Sequence, residues 1–258
     1  MDHTNIEKRI ADLSFMDDIF FNTCFNENIP ATTLLLRIII GRELAISDVR
    51  AQEFVRNLYG RSLQLDAHAL DADGNNYNIE VQRIMSGANP KRLRYHSSLL
   101  DANTIIPGTD FKDLPESYVI FITEGDYYEL GFPLYHIERY VEETKQAFGD
   151  MQHLIYVNGS YDGTDEIGKL AHDLRETDPS KMYYKEFAES STFYKINPKG
   201  VSIMKSTMQE YRDQVVYERA IETAKRALAN GKLTHEEIAQ IVGLTLNEIK
   251  TLAGEASA

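Results

Sequence analysis

The chain has 258 residues, with 27 lysines and arginines against 40 aspartates and glutamates, which gives a formal net charge of −13. This negative charge argues against tight non-specific binding to nucleic acid or to anionic membranes. The single cysteine excludes intrachain disulfides and a cysteine-based zinc site. No apolar run reaches the roughly 18 residues of a membrane-spanning helix, and the N-terminus lacks the apolar core of a signal peptide, so we expect a cytoplasmic protein with no membrane partner.

The beginning of the chain predicts two helices. Residues 1–14 are polar and predict a loose lead-in, whereas 15–41 have the apolar spacing of a helix. Pro30 predicts a break between two helices, and Gly41 predicts the end of the second. Residues 44–58 are ambiguous and leave room for a short strand.

The clearest pattern in the sequence is a β-hairpin. Apolar and polar residues alternate over 61–71 and again over 77–83, and the turn sequence DADGNN lies between them. We therefore predict two antiparallel strands joined by a tight turn.

The register of this hairpin brings two acidic residues together. If Asp71 pairs with Asn75 across the turn, Asp66 lies directly opposite Glu80, with Cβ atoms about 4.5–5.5 Å apart, and Gln82 shares their face. Facing carboxylates repel unless a proton or a cation lies between them, and oxygen ligands suit Mg²⁺ or Mn²⁺. Two alternatives remain open: an ordinary solvent-facing hairpin, and a register shifted by one residue, which would separate the pair.

The middle of the chain predicts further α/β structure. The continuous apolar run SYVIFIT is typical of a buried central strand. The predicted segments are strands over 117–123 and 153–157, and helices over 90–102, 137–148 and 164–175.

The end of the chain predicts an all-helical tail. A long helix over about 206–229 is followed by short helices near 235–242 and 246–253, which begin at the capping-box patterns Thr234 to Glu237 and Thr245 to Glu248. The segment LTHEEIAQIVGLTLNEIKTLA resembles a helix-turn-helix. Because the tail is nearly neutral, a structural helical cap, or one that supports a homodimer, is favoured over independent DNA binding. We predict two domains, residues 1–204 and 205–258.

The hairpin also resembles a known catalytic motif. Asp66, thirteen intervening residues and Glu80-Val81-Gln82 resemble the core of the PD-(D/E)XK nuclease superfamily. More narrowly, they resemble the PD-(D/E)XK family transposases and the Rpn-type recombination-promoting nucleases. The resemblance covers about residues 15–140 and includes three further segments: Asp18-Ile19-Phe20-Phe21, Arg92-Leu93-Arg94-Tyr95, and Ser117–Thr123 with Pro133-Leu134-Tyr135.

The resemblance implies an α/β fold with a restriction-endonuclease-like core, in which a mixed central sheet is flanked by helices. It implies metal-dependent hydrolysis of DNA phosphodiester bonds, linked to recombination, mobile elements or defence. Asp66, Glu80 and the Val81 carbonyl would hold Mg²⁺ or Mn²⁺, with Asp18 as an auxiliary acidic residue. Gln82 stands where the superfamily name has lysine. It can orient water or a phosphate oxygen, and the general base stays unassigned.

Basic and aromatic side chains near the motif are candidates for DNA contact. We predict phosphate or stacking contacts from Arg61, Arg92, Arg94 and Tyr95. A solvated helix face is the alternative interpretation of these residues. Two alternatives to a nuclease also remain: an inactive nuclease-fold module that binds DNA or protein, and an oligomeric scaffold assembled by the tail.

Overall fold

The computed structural model describes residues 3–57 and 62–255. Contacts between residues divide the chain into two compact units, Met1–Met204 and Lys205–Ala258. Over the described ranges, no helix combines the length and the apolar character that crossing a membrane requires.

The first unit contains a six-stranded sheet and flanking helices. Its helices are α1 (His3–Ala11), α2 (Asp18–Phe25), α3 (Ile29–Ile40), α4 (Pro90–Thr104), α5 (Glu166–Arg175) and α6 (Lys185–Ile196). Its strands are β1 (Ile46–Val55), β2 (Leu63–Asp71), β3 (Asn76–Gln82), β4 (Ser117–Thr123), β5 (Leu134–Ile137) and β6 (Gln152–Asn158).

The sheet is mixed. Its strand order is β1-β2-β3-β4-β6-β5, with β1, β2 and β3 antiparallel, β3, β4 and β6 parallel, and β5 antiparallel to β6. Every residue of β4 is buried, which shows that helices or loops cover both faces of the sheet centre. The predicted α/β fold with a mixed sheet flanked by helices is therefore confirmed, and the nuclease class within it stays a prediction.

The β2–β3 hairpin has the predicted register. Ala67 faces Ile79 and Leu70 faces Asn76, so the alternative shifted by one residue is wrong. The Asp71 carboxylate fixes the turn because it accepts hydrogen bonds from the backbone N–H of Asp73 and of Asn75, each at 2.9 Å. Local turn chemistry therefore sets which residues of the two strands meet.

The helical beginning of the chain is also as predicted between residues 15 and 41. Pro30 lies in the first turn of α3, where its missing N–H is tolerated, and the Asn28 side chain caps that turn by accepting from the Ala31 N–H at 3.2 Å. Gly41 ends the helix with a left-handed backbone at φ 77°.

Two predicted segments were wrong. The expected lead-in contains α1, which buries Ile10 in the core and is held there by that contact. The helix predicted over 137–148 is absent from that described segment. The chain ends β5 at Ile137 and then forms an antiparallel bridge between Tyr140 and Ala147. Its large apolar side chains Tyr140 and Phe148 are exposed, so there is no buried face to stabilise a helix.

The second unit is helical. It contains most of α7 (Pro198–Asn230), together with α8 (His235–Val242) and α9 (Leu246–Glu255). Its core consists of Ala224, Ile238, Ala239, Leu244, Ile249 and Leu252. Both predicted capping boxes are present. Thr234 and Glu237 exchange backbone-to-side-chain hydrogen bonds, as do Thr245 and Glu248. Whether this unit binds DNA or forms a dimer stays a prediction.

Candidate active site

The two hairpin strands stop pairing at the end where the acidic residues lie. Their described pairing ends at Ala67 and Ile79. Beyond it, Oε1 of Glu80 accepts the Asp66 backbone N–H at 3.3 Å, and Oδ2 of Asp66 accepts the Val81 backbone N–H at 2.9 Å. The carboxylates thus replace the backbone ladder and lie between the strands, instead of forming a solvated hairpin face.

The backbone carbonyl of Val81 faces the same gap. The Val81 N–H points to Asp66, and in an extended strand the N–H and C=O of one residue point to the same side. The backbone of the next residue, Gln82, faces the opposite neighbour. Its carbonyl accepts from the N–H of Glu124, the residue that follows β4, at 3.1 Å. Two carboxylates and one carbonyl therefore converge where β2 and β3 separate.

Burial raises the pKa of both carboxylates. Glu80 is 0% exposed, and burial raises its pKa to about 7, although the nearby Arg92 charge opposes the rise. Burial and then the Glu80 charge raise the pKa of Asp66 well above its ordinary value. Both carboxyls therefore keep a proton to higher pH than an exposed carboxyl does, and a bound cation would stabilise their charged forms.

Asp18 lies within electrostatic range of both carboxylates. It is the first residue of α2, and its charge contributes to the raised pKa of Asp66 and of Glu80. The pKa of Asp18 itself is also raised. Although the residue as a whole is exposed, partial burial of its carboxylate is the largest cause, and the Asp17 charge is the next. The structure thus brings together the three acidic residues that the sequence singled out.

A row of polar side chains on β3 faces α4. Asn78, Glu80 and Gln82 alternate with apolar residues along a strand that is buried almost throughout. Arg92 of α4 donates from Nη1 to Oε1 of Gln82 at 2.9 Å and from Nη2 to Oε2 of Glu80 at 3.3 Å. It also donates to the Gly87 carbonyl at 3.2 Å. The basic helix therefore lies over the candidate site, and Arg92 points into it.

His96 completes this buried network. It is 1% exposed, and its Nε2 accepts from Nε of Arg92 at 3.2 Å, so we assign the ring proton to Nδ1. Nδ1 lies 3.5 Å from Oε1 of Glu80 and 3.1 Å from the Asn78 side-chain amide. The Asn78 side chain also hydrogen-bonds Glu80, which opposes the rise in the pKa of that carboxyl, and Oδ1 of Asn78 is buried without a hydrogen-bond partner.

The spacings of helix and strand explain why these residues meet. Four residues rise about 6 Å along a helix, and two residues rise about 6.6–6.8 Å along a strand. Arg92 and His96 therefore align with successive members of the polar row on β3. The sequence analysis missed His96 and Asn78. The signal that could have found them is polar alternation in a buried strand followed by basic residues four apart in the next helix.

The residues predicted to contact DNA differ in their exposure to solvent. Arg94 is exposed, whereas the Arg92 guanidinium binds within the candidate site. The Tyr95 hydroxyl accepts from the Asn57 side chain at 2.8 Å and is half-buried. Arg61 lies outside the described residues. Of this set, Arg94 is the described side chain that faces solvent most openly.

The donor chemistry fits a hard divalent cation with few protein ligands. Among the described residues, no group of three or more His, Cys, Asp or Glu side chains is arranged to hold a metal ion. The candidate ligands are instead two carboxylates, Asp66 and Glu80, and the Val81 carbonyl. Oxygen ligands of this kind suit Mg²⁺, which usually keeps several of its waters. A cation there would offset the burial that raises the pKa of both carboxyls and the Glu80 charge that raises the pKa of Asp66 further.

Comparisons of the chain with protein-family models, with curated proteins and with solved structures find no match.

Proposed function

We propose that the chain is a Mg²⁺-dependent DNA endonuclease of the PD-(D/E)XK type, linked to recombination, mobile elements or defence. The observation that carries the proposal is the interlocked pair Asp66 and Glu80 at the point where β2 and β3 separate, with the Asp18 charge in range. An ordinary hairpin would not place a half-buried and a fully buried carboxylate against each other, because like charges away from water destabilise the fold.

The chemistry follows from the ligand set. Asp66, Glu80 and the Val81 carbonyl would hold the ion, which lowers the pKa of a bound water and stabilises charge on a phosphate. The Gln82 amide has no proton-accepting role at neutral pH, and it orients a water or a phosphate oxygen by hydrogen bonding. Before a cation binds, Arg92 holds the Gln82 amide in place through its 2.9 Å hydrogen bond. Asp18 contributes negative charge at the mouth of the site.

Access to DNA depends on local charge, because the whole chain is strongly negative. The exposed Arg94 supplies positive charge on α4, the helix that lies over the site, and Arg61 precedes β2 in sequence. With so few basic groups, the interface releases few counterions, and we expect weak binding that is readily reversed by salt.

Plasmid cleavage tests the proposed activity. The purified chain should nick or linearise supercoiled DNA with Mg²⁺, and Asp66→Ala and Glu80→Ala should each abolish cleavage. Asp110→Ala removes an exposed carboxylate at a turn and serves as the matched control, with activity unchanged. Cleavage that survives both site substitutions would refute the assignment.

One observation favours a second candidate, an inactive nuclease-fold module that binds DNA or protein. Arg92 already supplies a cation to Glu80 at 3.3 Å, so the charge could be compensated without a metal. Calorimetric titration with Mn²⁺ separates the two candidates. An active site binds Mn²⁺ in a manner that Asp66→Asn abolishes, whereas the inactive module shows no carboxylate-dependent binding.

We also propose that the second unit supports a homodimer. Its helix α7 exposes Val216 at 67% and Tyr211 at 45%, and both would be covered by a second copy. Light scattering of the full chain should report a dimer that Val216→Glu dissociates. The exposed Ile203→Glu, in the first unit, is the control.

A further inference from the structure

Arg92 covers one particular oxygen of Glu80. Oε1 of Glu80 accepts from the Asp66 backbone N–H, and His96 lies beside it. Oε2 is the oxygen that Arg92 Nη2 contacts at 3.3 Å. Each carboxylate oxygen has two lone pairs, and the backbone hydrogen bond takes one of those on Oε1. Oε2 accepts no backbone hydrogen bond in the described structure and is therefore the more available metal ligand, and it is the oxygen that the guanidinium contacts.

Arg92 is also able to leave that position. Its side chain is 39% exposed, whereas that of Glu80 is 1% exposed. It is the third residue of α4 and has a long flexible stem, so the guanidinium can turn towards solvent without a change in the helix. Its other acceptors are neutral groups, namely Gln82, the Gly87 carbonyl and His96. Glu80 is thus the one anion that holds it in place by an ion pair in the described structure.

We propose that Arg92 is a tethered counter-cation that competes with the divalent cation for Oε2 of Glu80. When the cation binds, Arg92 is displaced towards solvent. The displaced guanidinium then lies at the rim of the site, where it can contact a phosphate, as the sequence predicts for this residue. This inference rests on the proposed metal site and adds its regulation: the arginine sets the affinity for the metal.

Competition and simple positioning predict opposite results. If Arg92 only positions Glu80 for the metal, its removal loosens the ligand and weakens metal binding. If Arg92 competes, its removal takes a positive charge away from the ion and frees an oxygen, which strengthens metal binding. Lysine at this position keeps the charge but loses the forked geometry, so it should compete less than arginine and more than glutamine.

Calorimetric titration with Mn²⁺ distinguishes these cases on the full chain. Arg92→Gln should bind Mn²⁺ about three- to tenfold more tightly than the unmodified chain, with Arg92→Lys in between. Lys91→Gln removes the same charge from an exposed neighbour on the same turn, and its affinity should change less than about twofold. Equal or weaker binding by Arg92→Gln overturns the competition and leaves the metal site standing. Absence of Mn²⁺ binding by every variant overturns the metal site and the competition together.

A second measurement needs no metal. Urea unfolding in EDTA at pH 8 should give a double-mutant cycle in which Arg92→Gln destabilises the chain less when Glu80→Gln is present. The coupling confirms that the two side chains form an ion pair in solution. Additive effects of the two substitutions on the free energy of unfolding would show that Arg92 and Glu80 form no ion pair in solution, which also overturns the proposal.

Discussion

The backbone N–H of Asp66, on β2, donates to Oε1 of Glu80, on β3, at 3.3 Å, so the main chain of β2 holds the Glu80 carboxylate. The reciprocal contact, from the Val81 N–H to Oδ2 of Asp66, fixes the second carboxylate. Both carboxylates are therefore held by backbone N–H groups of the strands. A strand is more rigid than a loop, which suits a site that must keep its geometry. This arrangement leads to the first two predictions.

Asp66→Asn should stabilise the fold while it removes metal binding. The amide oxygen can still accept the Val81 N–H, and the buried charge and its repulsion with Glu80 disappear. We expect the free energy of unfolding in EDTA at pH 8 to rise by about 1–2 kcal/mol, measured with urea. Asp73→Asn, in the exposed turn, is the control and should change stability by less than about 0.5 kcal/mol. Destabilisation by Asp66→Asn would contradict the electrostatic account of this site.

The stability of the chain in EDTA should fall as pH rises from about 4.5 to about 7 because of Glu80, whose pKa is raised from 4.5 to about 7 by burial. In that window the folded state holds a proton that the unfolded state has lost, so the contribution is present below pH 4.5 and is lost as pH rises through the folded pKa. Urea unfolding of the unmodified chain and of Glu80→Gln, compared across this range, isolates the group. Between pH 4.5 and 7 the unmodified chain should lose about 1–3 kcal/mol more of its free energy of unfolding than Glu80→Gln does. Parallel pH profiles of the two proteins would refute the raised pKa of Glu80.

The hairpin was predictable because its determinants are local. The Asp71 turn and strict alternation fix the register, so the meeting of Asp66 and Glu80 follows from sequence. The role of α4 was not predictable in the same way. Which face of a helix turns inward depends on packing against the sheet. The sequence predicts a phosphate contact for Arg92, with a solvated helix face as the alternative, whereas the structure shows its guanidinium bound to Gln82. The polar row on β3 likewise resembles an exposed face until α4 covers it.

Gly87→Ala should impair the proposed activity with little effect on stability. A Cβ at this position would clash with Oε1 of Gln82, so the flexible Gln82 side chain must move away from the place where its amide could orient a water or a phosphate oxygen. Displacement of an orienting group by about 1 Å lowers rates by about 10–100-fold. Plasmid cleavage measures the effect on activity. The free energy of unfolding, measured with urea, should change by less than about 1 kcal/mol. In Gly125→Ala the nearest atom is 3.7 Å away, so full activity is expected of this control.

Lys195→Met should loosen two distant segments of the first unit at once. The Lys195 ammonium donates to the carbonyls of Ala11, Leu13 and Thr177, and burial lowers its pKa to about 8. Methionine keeps a side chain of similar length but loses the ammonium, which lies 5.0 Å from the centroid of the Phe20 ring, and it leaves the three carbonyls without this donor. We expect a loss of about 1–3 kcal/mol in the free energy of unfolding.

Hydrogen exchange locates the effect of Lys195→Met. Amides next to the three freed carbonyls, around residues 11–14 and 177–178, should exchange faster in the variant, whereas those of β3 and β4 should keep their relative protection, because Lys195 contacts neither strand. Lys199→Met removes an exposed charge from the start of α7 and should leave both stability and exchange unchanged. Equal effects of the two substitutions would show that the loss of charge matters and that the three carbonyl contacts do not, which would contradict the proposed tether.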